Sequence, residues 1–130
     1  MKFIQKRDEK REYVAEFYSQ VRFDASADFR PKAFLVALDG YVNLRGNYID
    51  EAYQLIFAHE TSEGDSDYFA AGIELRICWP AVDEAVIIPL SYEEFYPMLC
   101  EECEKYLEER PEDRQQVQEL LARIKVALNV

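Results

Sequence analysis

YFAAGIELRICW, residues Tyr68 to Trp79, alternates along its whole length. Phe69, Ala71, Ile73, Leu75, Ile77 and Trp79 share one parity, while Tyr68, Ala70, Gly72, Glu74, Arg76 and Cys78 share the other. A period of two predicts a long β-strand with one buried face, because successive strand side chains point to opposite sides. On a helix the same apolar groups would scatter around the axis. Gly72 inside the run marks a bulge or the close approach of another backbone. The apolar face is too large to stay wet, so helices or a second layer must cover it. Carboxylates edge the strand: Glu63, Asp65 and Asp67 before it, Glu74 within it, Asp83 and Glu84 after it.

The neighbouring segments supply partners for this strand. Ala85 to Leu90 is a short apolar strand beyond a turn at Pro80 to Glu84, and the two are expected to pair antiparallel. Glu60 to Asp67, ETSEGDSD, is small, acidic and broken by one glycine, which is loop composition. Ile49 to His59 reads two ways. Ile49, Ala52, Tyr53, Ile56 and Phe57 fit helical spacing, whereas Tyr53, Leu55 and Phe57 alternate. Its β-rich C-terminal half favours a strand on the other side of the central one.

Helical stripes lie on both sides of this block. Val14, Phe17, Tyr18 and Val21 predict a helix over Asp8 to Val21, and the polar stretch Asp24 to Arg30, between Phe23 and Phe29, reads as a connection. Pro31 suits the first turn of a second helix carrying Phe34, Leu35 and Leu38, ended by Gly40 or Gly46. Ser91-Tyr-Glu-Glu94 is a capping box, in which serine and glutamate satisfy each other's backbone amides. Pro97 suggests that Ser91 to Tyr96 is a separate turn and that the main helix starts near Pro97. Leu99, Cys103, Tyr106 and Leu107 form its stripe. Pro111 restarts the chain as a last helix with Val117, Leu120, Leu121, Ile124 and Leu128, giving a C-terminal αα-hairpin. The expected fold class is α+β: one domain over residues 1–130, with a small antiparallel sheet of about three strands packed by helices.

Composition narrows function. The chain has 130 residues, 49% hydrophobic and 14% aromatic, which excludes a disordered tail. No apolar run approaches the roughly 20 residues needed to span a bilayer. The charged N-terminal MKFIQKRDEKRE lacks a signal-peptide core, and three cysteines make no complete disulfide set, so a cytoplasmic location is expected. Twenty-six acids against fifteen bases give a net charge of −11. That field repels nucleic acid and anionic membranes and attracts basic partners.

Motifs for chemistry are scarce, and no catalytic residue, cofactor or metal is expected. His59, the sole histidine, sits beside Glu60 without a surrounding motif, which is how a surface or capping histidine looks. The four glycines show neither P-loop nor dinucleotide spacing. Cys100-Glu-Glu-Cys103 has metal or redox spacing, but its mid-helix position favours core packing. Glu60, Glu63, Asp65 and Asp67 lack the order of a calcium loop. The remaining signal is carboxylates around a sheet, joined by Tyr41, Tyr48, Tyr53 and Tyr68 as candidate exposed tyrosines. Acid with tyrosine is the composition of a face that grips lysines and arginines. An acidic adaptor or homodimer would carry the same signature.

The C-terminal half adds a resemblance. GIELRI from Gly72, EAVIIPLSYEEFYPML through the Ser91–Phe95 helix start, and CEKYLEERPEDRQQVQELL from Cys103 through Pro111, Glu112 and Asp113 resemble immunity proteins (CdiI type) of contact-dependent growth inhibition systems. They look most like those guarding against ribonuclease toxins. The likeness spans roughly Gly72 to Leu121, and its motifs are structural, so no functional residue is carried over. It implies a non-enzymatic inhibitor that neutralises a basic ribonuclease toxin domain, the C-terminal domain of a large exoprotein, as a monomer in a one-to-one complex. The expected contacts are Glu60, Glu63, Asp65, Asp67, Tyr68, Glu74, Asp83 and Glu84, on the sheet and its loops.

Overall fold

The computed structural model describes residues 1–26 and 32–130. Its central strand, β4 (Ile73–Ile77), is shorter than the alternation suggests. Gly72 stands at φ +82, and a Cβ there would meet the Leu90 carbonyl oxygen at 2.6 Å. Glycine takes this left-handed conformation at little cost, and the chain leaves the strand there. Tyr68 to Ala71 therefore belong to the preceding loop. Trp79 lies past the strand in the next turn and is 72% exposed, where burial was expected.

Beside β4 run β3 (Tyr53–Phe57) and β5 (Val86–Leu90), both antiparallel to it. Among the described residues the sheet has five strands where about three were expected, in the order β1-β5-β4-β3-β2. The additional edges are β1 (Lys2–Phe3), parallel to β5, and β2 (Asn47–Ile49), antiparallel to β3. Strands of two and three residues are too short to show a period, which is why the pattern missed them. The ambiguous Ile49 to His59 segment resolves into the end of β2, a turn, β3 and a 3-10 turn at Ala58–Glu60. Gly46 is required just before β2, because a Cβ there would fall 1.8 Å from the Leu55 carbonyl oxygen.

The helices are α1 (Arg7–Ser26), α2 (Ala33–Val42), α3 (Tyr92–Glu109) and α4 (Arg114–Leu128). α1 carries its expected stripe, Val14, Phe17, Tyr18 and Val21, all buried, and continues to Ser26. Residues 24–26 are thus helical rather than connecting. The rest of that connection and the expected start at Pro31 lie outside the described residues. α2 passes through Gly40, and the reversal is made instead by Leu44 at φ 54, with the Arg45 amide donating to the Gly40 carbonyl at 2.9 Å.

The Ser91 capping box forms as the sequence predicts: the Glu94 amide donates to Ser91 Oγ, and the Ser91 amide to Glu94 Oε1, both at 3.0 Å. α3 then runs unbroken through Pro97, contrary to the expected split. Pro97 and Glu93, whose carbonyl loses its helical donor, are both exposed, so that carbonyl stays at the wet surface. A 3-10 turn, Pro111–Asp113, joins α3 to α4 and completes the hairpin. There the Tyr106 hydroxyl donates to Asp113 Oδ2 at 2.6 Å.

One core unites helices and sheet. The inward side chains Leu55, Phe57, Ile73, Leu75, Ile77, Val86, Ile88 and Leu90 join the helical stripes in a single cluster. Each such aliphatic or aromatic side chain contributes about 1.5–3 kcal/mol on burial. Among the described residues, no helix is long and apolar enough to cross a membrane.

Candidate protein-binding surface

Alternation within the strands gives the sheet a second face. With Leu55, Ile73, Leu75 and Ile77 turned inward, Gln54, Ile56, Glu74 and Arg76 turn outward. Registers extend the pattern across the sheet. Phe3 pairs with Ile87, Ile87 with Arg76, Arg76 with Gln54, and Gln54 with Tyr48. These five residues form one cross-strand row. Ile87 is buried, yet it stands apart from the main core cluster, as its outward direction requires.

Arg76 is the anchor of this face. Its guanidinium lies 2.8 Å from Glu74 Oε1 and 3.5 Å from Asp67 Oδ2, and donates to the Asp67 carbonyl at 2.8 Å. The Phe69 ring sits 5.7 Å from the same guanidinium, a cation–π contact. Through these bonds the loop of residues 61–72 is drawn back over the outer face. Thr61 helps, its hydroxyl oxygen accepting from the Phe69 amide at 3.4 Å.

The eight expected contact residues fall into groups. Glu63, Asp65, Asp67 and Tyr68 are exposed on the loop laid over the sheet, and Glu74 lies beneath it on β4. Arg76 offsets part of the charge of Asp67 and Glu74. Asp83 and Glu84 are exposed in the β4–β5 turn, at the opposite end of β4. Glu84 meets the terminal ammonium of Met1 at 2.9 Å, and hydrogen bonding and attraction from that ammonium hold its carboxyl below the usual range. Glu60 is committed to the fold itself, because its oxygens accept from the Gly46 amide at 3.0 Å and the Phe57 amide at 2.9 Å. It locks the chain before β2 to the end of β3.

Of the tyrosines, Tyr48 is 64% and Tyr68 43% exposed, as a binding face needs. Tyr41 is not exposed. It is fully buried, its hydroxyl 2.9 Å from that of Tyr18 and donating to Asn47 Oδ1 at 2.6 Å. Burial pushes both phenols well above their ordinary range. Tyr53 is half-buried, and its hydroxyl donates to Glu16 at 3.4 Å. Sequence reading overlooked Phe3, Gln54, Arg76 and Ile87 as parts of one surface. The outward parity of Arg76 was visible, but the partners of its row lie on other strands.

The groups considered for chemistry are engaged structurally. His59 Nε2 is hydrogen-bonded to the Leu44 carbonyl oxygen, across the end of α2. Cys103 is buried in the core and Cys100 lies at its flank, and burial raises both thiols.

No curated protein matches the chain closely enough to count as a relative. A family model described as CDI immunity protein matches residues 27–121, nearly three-quarters of the chain. That span contains β2 to β5, the loop over the sheet, α3 and the joint into α4. The chain belongs to the CDI immunity proteins.

Proposed function

We propose that this immunity protein neutralises a cognate ribonuclease toxin domain by covering or flanking its active site with an acidic surface. A ribonuclease holds RNA phosphates with basic side chains. An inhibitor with a net charge of −11 is drawn towards such a groove and speeds the encounter. The observation that carries the reading is the exposed carboxylate loop, Glu63, Asp65 and Asp67, folded over the sheet with Tyr68 beside it. Glu74, Asp83 and Glu84 extend the acidic surface, and Glu60 supports its base. Neutralisation by occupancy needs no chemistry from the inhibitor, and one chain per toxin, acting in the cytoplasm, suffices.

The test is titration calorimetry against the C-terminal domain of the exoprotein encoded immediately upstream, with RNA cleavage assayed in parallel. One-to-one binding with a Kd of about 1–10 nM and loss of cleavage is expected. Binding without any ribonuclease activity in the free toxin would overturn the ribonuclease reading. Absence of binding, with concentration-dependent self-association instead, would favour the adaptor.

A further inference from the structure

The outer face of the sheet differs from the rest of the surface. Its inner counterpart is sealed by helices, whereas the outer row ends in two large exposed side chains, Phe3 at 52% and Tyr48 at 64%. Four inter-strand spacings of about 4.8 Å place them roughly 19 Å apart. Between them lie Ile87, Gln54 and Arg76, and Tyr68 rises from the loop alongside. The arginine is already satisfied by Glu74, Asp67 and Phe69, so the centre of the row carries little free positive charge. The loop carboxylates Glu63 and Asp65 stand around it in solvent.

We infer that this outer sheet face, opposite the helical layer, is where the cognate toxin domain docks, with the exposed Phe3 and Tyr48 and the half-buried Gln54 as its contacts and the 61–72 carboxylates as its acidic rim. The inference rests on the immunity reading above and adds which face acts and what chemistry dominates it. Interfaces draw affinity from aromatic and apolar centres, while rim charges set approach and orientation. The occupant must be basic, because the rim is acidic. A second copy of this chain is disfavoured for the same reason: apposed faces would bring two carboxylate rims, each from a chain of net charge −11, against each other. A rigid sheet suits this use, since its outer row is held in register from beneath by the core and loses little freedom on binding.

The experiment measures affinity for the catalytically inactivated toxin domain encoded upstream, using full-length immunity protein. Tyr48→Ala is expected to weaken binding about tenfold, and Gln54→Lys about a hundredfold by placing a cation in the centre. Val126→Glu, at a residue on α4 that is 80% exposed, is expected to leave affinity within about twofold of wild type. Thermal unfolding of each variant checks the fold. Hydrogen exchange of the wild-type complex gives an independent reading, with protection gained over residues 47–56 and 61–77. Wild-type affinity in both sheet variants, or protection confined to the helices, would overturn the sheet-face assignment while the immunity reading stands. Failure of the wild-type protein itself to bind would remove the immunity reading, and this inference with it.

Discussion

Glu102 gathers three cations around one carboxylate. It is fully buried in α3, with Arg11 Nη1 at 3.0 Å, Arg22 Nη1 at 2.9 Å and Lys105 Nζ at 2.9 Å. A buried carboxylate is tolerable only when such partners replace its water. Here they also tie α1 to α3. Removing one member of a buried pair costs about 3–5 kcal/mol, but these cations reach solvent and can rehydrate. Glu102→Ala is therefore expected to lower stability by about 2–3 kcal/mol, read from the urea midpoint. An unchanged midpoint would mean the cluster contributes nothing net. Gly72 offers a second residue-level test. Gly72→Ala must place a Cβ against the Leu90 carbonyl at positive φ, and a loss of about 3 kcal/mol is expected from strain and displacement together.

At the scale of the element, the start of α3 is a small electrostatic assembly. Glu94 caps the Ser91 amide and takes Lys10 Nζ at 3.2 Å, so the capping box of α3 is also a tie to α1. Burial alone would raise the Glu94 carboxyl, but the Ser91 amide and hydroxyl and the Lys10 ammonium outweigh it and hold the pKa below its usual 4.5. A carboxyl depressed in the folded state stabilises fully above its unfolded pKa, and that contribution is lost as pH falls through the folded one. Glutamine keeps the cap but not the charge. Glu94→Gln should thus cost about 1 kcal/mol near neutrality, roughly 4 °C in Tm. The gap should hold down to about pH 5 and close below 4.5. A gap independent of pH would show that Lys10 gains nothing from the carboxylate's charge. Ser91→Ala removes the other half of the box, and a loss of about 1 kcal/mol near neutrality is expected.

At the scale of the whole molecule, the proposed docking assigns encounter to charge and hold to the sheet face. With a net charge of −11, association with a basic toxin should slow about tenfold between roughly 50 and 500 mM salt, with dissociation little changed. Stopped-flow binding measures both rates. Reversing Glu63, Asp65 and Asp67 to lysine together should slow association at low salt by a similar factor. Unchanged association in that triple variant would exclude the loop from steering.

The sequence by itself determined the parts whose reasons are local. The stripes of α1, α3 and α4 follow from helical period, the capping box from Ser91 and Glu94, and the pair β4–β5 from alternation beside a turn, whereas the continuation of α3 through Pro97 did not follow from the sequence. Tertiary structure decided the rest, because those outcomes depend on partners far along the chain. Lys2 and Phe3 become a strand only against Val86 and Ile87, and two residues carry no period that could announce it. Tyr41 can be buried because its hydroxyl finds partners in Tyr18 and Asn47, and Glu60, though exposed, is held to the fold because the Gly46 and Phe57 amides converge on its carboxylate. The acidic loop was legible as acid. That it folds over the outer sheet face was settled by one arginine, Arg76, which holds Asp67, Glu74 and Phe69 together through contacts that no spacing in the sequence encodes.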